Sequence, residues 1–241
     1  MIDDAWRAHR SGWDFSWLDG RTSSAATPWD YRERAEALVR QADRLLDVDT
    51  GGGEFLAGLA PLPAGTVAVE SWAPNVAVAR ERLDPLGVTV IEGLDDMPPP
   101  APAFDLVLNR HGRLDAAALA ALAVPGAVLL TQQVGSRNHL ELNEALGAPA
   151  PGPAGAWTLE IAAARVEAAG FRILEAREEL LPFRFLDIGA VVYQLAAIPW
   201  QVPGFEPAAY ADELRLLEER IAADGAFTAH DHRFLIEAER G

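Results

Sequence analysis

Short apolar runs alternate with helical patterns through the middle of the chain. Five runs are apolar almost throughout, at 44–49, 66–70, 88–92, 104–109 and 126–133. Stretches with helical spacing lie between several of them, at 54–60, 73–84 and 115–123. Apolar strands joined by helices indicate a parallel sheet covered on both faces, and right-handed crossovers make such a sheet doubly wound.

The alternation changes in the last third of the chain. A helical pattern at 158–169 precedes a strand at 171–177, and the apolar positions of 186–197 then fit a helix at least as well as a strand. An amphipathic helix is predicted at 207–223, and the chain closes with a strand from His232. We therefore predict a helical insertion over the ligand edge of the sheet before the final strand.

The first 30 residues hold four of the seven tryptophans, at Trp6, Trp13, Trp17 and Trp29. Small-residue loops, including 22–24, interrupt this segment, which is interpreted as a short helix and an irregular segment folded back on the domain. Helical spacing follows over 30–43. With Tyr31 and Trp200, the tryptophans allow two interpretations, an aromatic lid over a planar or cationic substrate or ordinary packing.

A glycine-rich turn follows the first buried strand. The strand ends in Asp47 and Asp49, three glycines follow at 51–53, and a helical pattern then begins. Glycines at such a turn let backbone N–H groups approach a ligand without obstruction from a Cβ atom. The next strand ends in Glu70, about 20 residues on, where a carboxylate can accept both hydroxyls of a ribose. The order strand, glycines, helix, strand and acid predicts a nucleoside-binding site.

Composition limits the classes of partner. The 241 residues are 50% hydrophobic and carry a formal net charge of −16 without cysteine. A chain of this length can bury a full core, and its negative charge disfavours nucleic acid and anionic membranes as partners. Disulfides and thiolate metal sites are excluded. The residues from Met1 to Asp4 do not resemble a secretory signal, and no apolar run is long enough to span a bilayer, so a cytoplasmic protein is expected.

Several segments together resemble the class I S-adenosylmethionine-dependent methyltransferases, in particular the small-molecule branch found in many bacteria. They are Leu46–Glu54, Val69–Glu70 with Pro74–Val76, Phe104–His111, Pro125–Leu130 with Gln132–Gly135, and His232–Ile236. The resemblance implies S-adenosylmethionine as cofactor and S-adenosylhomocysteine as product. It also implies a Rossmann-like seven-stranded sheet whose last strand is antiparallel, in agreement with the inserted helical region.

Under this resemblance the chain divides into four parts. They are an N-terminal helical and aromatic lid segment (1–43), the cofactor-binding core (44–181), a helical lid insertion (182–228) and the final strand (229–241).

The resemblance assigns cofactor contacts around the glycine turn. Glu70 would bind the ribose, and Asp47 would order the glycine loop and reach the amino acid part of the cofactor through water. Thr50, Gly51 and Gly53 would also contact the cofactor. Asp49 stands where the family has its first glycine. Two interpretations of Asp49 remain open, a carboxylate that complements the sulfonium cation or an N-cap of the following helix.

Contacts to adenine are expected after the next two strands. Asp95 or Asp96 would bind the adenine amino group, although an N-cap or a solvated turn is an equal alternative. Trp72 would flank the ring or pack the junction between strand and helix, and we prefer the ring contact.

Asn109 and His111 end the fourth core strand, at the edge where open α/β sheets bind ligands. Asn109 would adjoin the cofactor. His111 is the best candidate for a general base, because a neutral imidazole can accept a proton near pH 7, and a loop-orienting histidine is the alternative. Two glutamines, Gln132 and Gln133, could bind substrate or point into the core.

A metal site at His230–His232 is not expected, because two imidazoles without a third ligand make a poor site. The sequence thus predicts methyl transfer from S-adenosylmethionine to an oxygen or nitrogen of a small molecule, by a monomer or homodimer. The alternatives are methylation of RNA or protein, and a domain that binds the cofactor or its product without catalysis. Assays of cofactor binding and methyl transfer would distinguish them.

Overall fold

The computed structural model describes residues 1–8, 15–97, 103–150 and 156–241. The prediction for Trp13 therefore lies outside the described residues, as does the proline-rich stretch at 98–102. Within the described ranges, no helix combines the length and the apolar character needed to cross a membrane.

Eight strands and nine α-helices are found in the described ranges. The strands are β1 (Thr22–Ser24), β2 (Leu45–Val48), β3 (Val67–Val69), β4 (Thr89–Ile91), β5 (Phe104–Arg110), β6 (Ala123–Val134), β7 (Phe171–Phe185) and β8 (Phe227–Arg240). The helices are α1 (Ile2–Ala8), α2 (Tyr31–Val39), α3 (Glu54–Ala57), α4 (Ala73–Leu83), α5 (Ala116–Leu122), α6 (Leu140–Ala145), α7 (Leu159–Ala168), α8 (Ile188–Ala197) and α9 (Ala211–Asp224).

The strands form one mostly parallel sheet in the order β1-β7-β8-β6-β5-β2-β3-β4, with an antiparallel last strand. The predicted doubly wound α/β fold is therefore confirmed. The sheet has eight strands instead of the predicted seven. The segment 22–24, expected to be a loop, forms β1 and pairs antiparallel with residues 183–185 of β7. Three small polar residues give little sign of this pairing in the sequence.

Side-chain caps explain where several helices begin. Asp30, Asp115 and Asp187 each accept the backbone N–H three residues on, at the starts of α2, α5 and α8. Thr158 does the same for α7. Each cap satisfies one of the N–H groups that the first helical turn leaves without a partner. Within the segment 186–197, which fits either type of structure by sequence, Ile188–Ala197 form a helix.

The described chain divides into two compact units, each built from three segments. One contains 28–133, 158–178 and 234–241. Its core includes fully buried leucines of β2 and α3, such as Leu45 and Leu56, together with Trp29 and Tyr31. This unit holds the glycine turn and all the candidate cofactor contacts.

The other unit contains 1–27, 134–157 and 179–233. Helix α8 is buried along almost its whole length in the core of this unit. Trp17 stacks on Tyr193 of α8 with ring centroids 5.1 Å apart, and Trp6 meets Phe205 edge to face. Trp6 and Trp17 therefore have packing partners in this unit, and Trp200 is 53% exposed.

The strand order fixes where a ligand crevice is expected. From β2 the chain moves to β3 and β4 on one side, and β5 and β6 then lie on the other side. Open α/β sheets bind ligands outside the carboxyl ends of the strands, at the point where the strand order reverses. That point lies between the turns after β2 and β5.

Candidate functional site

The glycine turn after β2 contains three residues in the left-handed backbone region. Asp49 has φ 56°, Gly51 has φ 65° and Gly53 has φ 79°. Gly53 caps α3, and a Cβ atom there would lie 2.8 Å from the side chain of Leu83. A Cβ atom on Gly51 would meet nothing within 4 Å. Gly53 is therefore required by packing, whereas Gly51 faces open space.

Glu70 ties the end of β3 to this turn. Its Oε2 accepts the backbone N–H of Gly51 at 2.6 Å, and its Oε1 accepts that of Trp72 at 2.7 Å. The residue is only 4% exposed. Burial raises the pKa of Glu70, while the two backbone hydrogen bonds act to lower it. The carboxylate thus lies at the predicted position beside the glycine turn.

Asp47 lies beneath the turn, within β2. Its pKa is raised to about 7, chiefly by burial and also by the nearby charges of Asp49 and Glu70, while a hydrogen bond with Thr50 and the charge of Arg110 act to lower it. Three carboxyl groups therefore meet at the carboxyl ends of β2 and β3. Such a site favours a positively charged ligand over an anionic one.

Asp49 does not cap α3. The cap residue is Gly53, which has no side chain to bond the helix, and the carboxylate of Asp49 points elsewhere. Its Oδ1 accepts the hydroxyl of Ser71 at 2.8 Å, and its Oδ2 accepts the backbone N–H of Arg113 at 2.7 Å. One side chain thus links the turns that follow β2, β3 and β5. The capping interpretation of Asp49 is therefore wrong.

Asn109 is fully buried at the end of β5. Its amide donates to the carbonyl of Val48 at 3.2 Å, and its Oδ1 accepts from Thr131 and Gln133. Gln133 accordingly points into the core, as one of the two interpretations allowed. Contact between Asn109 and a cofactor remains a prediction, since these bonds hold its side chain beneath the crevice.

His111 is exposed and has φ 61°, which is uncommon for a residue with a side chain. Its Nε2 lies 2.9 Å from the side-chain nitrogen of Gln132, whose Oε1 accepts the indole N–H of Trp29 at 2.7 Å. Because an indole can only donate, Trp29 fixes which end of the Gln132 amide faces the imidazole. The amide nitrogen can only donate too, so Nε2 of His111 is an acceptor.

The candidate adenine contacts lie on the exposed side of the same unit. Trp72 precedes α4 and is 40% exposed. Asp95 and Asp96 are exposed in a short 3-10 helix after β4, Leu94–Asp96. Their roles, and the choice between them, remain predictions.

His230, Asp231 and His232 bind different partners in the other unit. His230 lies 2.6 Å from Glu141, Asp231 lies 2.9 Å from His139, and His232 accepts the backbone N–H of Arg137. The described ranges contain no group of three or more His, Asp or Glu side chains placed to hold a metal ion.

Two residues of the crevice were not predicted from the sequence. Ser71 binds Asp49 from the turn after β3, and Gly112 touches Asp49 from the turn after β5. Ser71 directly follows the predicted ribose acid, which is the only sequence signal for it. Gly112 follows His111 at the predicted ligand edge. Its contact with Asp49 arises only when the fold brings the turns after β2 and β5 together.

Comparison with known proteins gives matches by structure alone. No protein-family profile and no curated protein matches the sequence. A candidate methyltransferase from Bacillus halodurans C-125 is 18% identical with a TM-score of 0.58, over 86% of this chain and 99% of that one. The [4+2]-cyclase SpnF is 17% identical with a TM-score of 0.54, over 90% and 87% of the two chains.

A third similar structure holds a ligand. Phosphoethanolamine N-methyltransferase 2 of Haemonchus contortus, in complex with S-adenosylhomocysteine, is 14% identical with a TM-score of 0.50, over 86% of this chain and 52% of that one. At these identities the likeness shows the fold. The chain has the Rossmann-like fold of class I S-adenosylmethionine-dependent methyltransferases. Because one similar structure is a cyclase, activity has to be argued from the site.

Proposed function

We propose that the chain is an S-adenosylmethionine-dependent methyltransferase that acts on an oxygen or nitrogen of a small molecule. The position of Glu70 carries this proposal. Its buried carboxylate ends β3, binds the backbone of Gly51 and lies at the edge where an α/β sheet of this order receives a ligand. The likeness to methyltransferases of the same fold supports it.

The donor and acceptor groups at this edge fit an adenosyl cofactor. An ionised carboxylate has about four acceptor positions, so Glu70 can still accept ribose hydroxyls after binding Gly51 and Trp72. Open space beside Gly51 leaves room for a ligand against the turn. We assign the ribose to Glu70, the amino acid part to residues 47–53, and adenine to Trp72 with Asp95 or Asp96.

The bound cofactor would supply a reactive methyl group and a positive charge that becomes dispersed during transfer. The chain would contribute alignment, exclusion of water and a field that suits a cation. Asp47, Asp49 and Glu70 provide that field. His111 would take a proton from the acceptor at Nε2 where the nucleophile has to lose one, and Gln132 would first have to release that atom.

A domain that binds S-adenosylmethionine or S-adenosylhomocysteine without catalysis is the second candidate. Two observations favour it: Asp49 bridges the crevice, and the Nε2 atom of His111 is already engaged. Methylation of RNA is disfavoured, because a net charge of −16 repels phosphate backbones. We expect a monomer or homodimer in the cytoplasm.

Two measurements on the full chain test the proposal. Calorimetry with S-adenosylmethionine and S-adenosylhomocysteine measures binding, and transfer of a labelled methyl group to a metabolite pool and, separately, to an RNA pool measures activity. The proposal expects saturable binding and label in small molecules. Binding without transfer would support the second candidate, label in RNA would support the nucleic-acid alternative, and absence of binding would overturn the cofactor assignment.

A further inference from the structure

The carboxylate of Asp49 spans the crevice at the point where the strand order reverses. It accepts hydrogen bonds from Ser71, after β3, and from the backbone of Arg113, after β5. Strand β2, which precedes Asp49, lies between β3 and β5 in the sheet. Asp49 therefore lies at the edge of the sheet where a ligand would contact all three turns.

The side chain of Asp49 fills the gap between the turns after β2 and β5. A Cβ atom built on Gly112 would lie 2.5 Å from Cβ and 2.6 Å from Oδ2 of Asp49. The backbone of Gly112 thus runs directly against this side chain. Glycine at position 49 would leave this gap open, and it would adopt a φ of 56° without the strain that a side chain brings.

The negative charge of Asp49 is not neutralised by an ion pair within the described part of the chain. Both its hydrogen-bond donors are neutral, a hydroxyl and a backbone N–H group. Arg113 supplies only its backbone here, since its guanidinium lies 3.3 Å from Asp115 and is largely exposed. The carboxylate therefore has only neutral hydrogen-bond donors at the crevice.

We propose that Asp49 is a specificity-determining residue that selects the charged methyl donor over its neutral product. This inference rests on the proposed function. S-adenosylmethionine carries a sulfonium cation, whereas the sulfur of S-adenosylhomocysteine is an uncharged thioether, and the two ligands are otherwise alike apart from the methyl group. A fixed carboxylate beside the sulfur attracts that atom only in the former, since the charged amino acid part is the same in both ligands. The affinity for the product therefore falls relative to that for the donor.

The selection has a consequence for turnover. After transfer the ligand has lost its sulfonium charge, so the carboxylate no longer holds it, and product leaves more readily. Asp49 would thus reduce inhibition by S-adenosylhomocysteine. Its hydrogen bonds to Ser71 and Arg113 hold the carboxylate in place, which keeps the charge from turning toward solvent.

Calorimetry on the full chain tests this inference through the ratio of the two dissociation constants, Kd for S-adenosylhomocysteine over Kd for S-adenosylmethionine. Asp49→Asn keeps the size of the side chain and removes its charge, and Asp49→Gly removes both. Glu81→Gln is the matched control, because Glu81 is an exposed acid on α4. We expect the ratio to fall about tenfold in both Asp49 variants, equivalent to about 1.4 kcal/mol, and to stay unchanged in the control.

Other outcomes would overturn the inference. An unchanged ratio in both variants, with affinities for the two ligands rising together in Asp49→Gly, would make Asp49 a steric plug. Asp49 would also be a steric plug if Asp49→Gly bound the ligands while the wild type and Asp49→Asn did not. Should the wild-type chain and both variants bind neither ligand while remaining folded by circular dichroism, the proposed function itself fails, which is a distinguishable result.

Discussion

The indole N–H of Trp29 donates to Oε1 of Gln132 over 2.7 Å, and both residues are buried. This bond orients the Gln132 amide so that its nitrogen faces Nε2 of His111. The neutral imidazole therefore carries its proton on Nδ1. The only ring atom able to accept a proton is therefore Nε2, which already accepts a hydrogen bond from Gln132. Base catalysis requires proton transfer to Nε2, whereas loop positioning requires only this hydrogen bond, so the two roles of His111 can be separated by experiment.

Replacement of His111 by alanine is expected to lower turnover by about a hundredfold, the lower range for a general base, with little change in cofactor affinity. Calorimetry and initial rates measure the two effects. His111→Gln is the informative control, because its side-chain oxygen can still accept from Gln132 but cannot act as a base. Recovery of turnover in that variant would show that His111 positions the loop, and full activity in the alanine variant would exclude a catalytic role for His111.

Replacement of Glu70 by alanine should weaken cofactor binding by at least about tenfold, because hydrogen bonds to a charged group contribute about 1.5–3 kcal/mol. The same change removes the partner of Gly51 and Trp72, so a loss of stability is expected as well. Glu70→Gln separates the two effects, since its amide oxygen can still accept one of these N–H groups. Glu81→Ala on the exposed side of α4 is the control for charge. Unaltered affinity in both Glu70 variants would remove Glu70 from the site.

The core of the fold could be predicted because its signals are local. Apolar runs give β2 to β6, and glycines at 51–53 mark the turn where the backbone needs positive φ. Strand β1 was missed because its pairing with β7 depends on a segment about 160 residues away. The partners of Asp49 were missed for the same reason, since Ser71 and Arg113 lie 22 and 64 residues further along the chain.

Burial of Asp47 gives the stability of the chain a defined pH dependence. Its pKa is 3.8 in a model peptide and rises to about 7 in the folded chain. The folded state therefore binds this proton more tightly, and the stability linked to Asp47 is fully present below about pH 4 and is lost as pH rises toward 7.

The variant Asp47→Asn cannot ionise and should not lose this stability. We expect it to gain stability over the wild type between about pH 4 and 7, by as much as a few kcal/mol at about 1.4 kcal/mol per unit of pKa. Urea unfolding of both chains at a series of pH values measures the difference in their free energies of unfolding. The titration of all other groups contributes equally to both chains and cancels in this difference. Parallel pH profiles for the two chains would contradict the burial of an ionisable Asp47.

Gly51 and Gly53 both have a positive φ, 65° and 79°, in different surroundings, which makes them a matched pair. An alanine at either position is strained by roughly 1 kcal/mol or more, because φ is positive. At Gly53 the added methyl group also meets Leu83 at 2.8 Å, and overpacking of this kind adds about 1–3 kcal/mol. Gly53→Ala should therefore lose more stability than Gly51→Ala in urea unfolding.

The order should be reversed for ligand binding: Gly51→Ala, the more stable variant, should lose more affinity for the cofactor than Gly53→Ala. The methyl group of Gly51→Ala enters open space beside the N–H that binds Glu70, where a cofactor would approach the turn. We expect Gly51→Ala to weaken S-adenosylmethionine binding by about tenfold or more, equivalent to about 1.4 kcal/mol, although it unfolds closer to the wild-type midpoint than Gly53→Ala does. Calorimetry at a temperature where both variants are folded makes the comparison. Normal affinity in Gly51→Ala would mean that the ligand does not contact the turn at this point, even if Glu70 still proved necessary for binding.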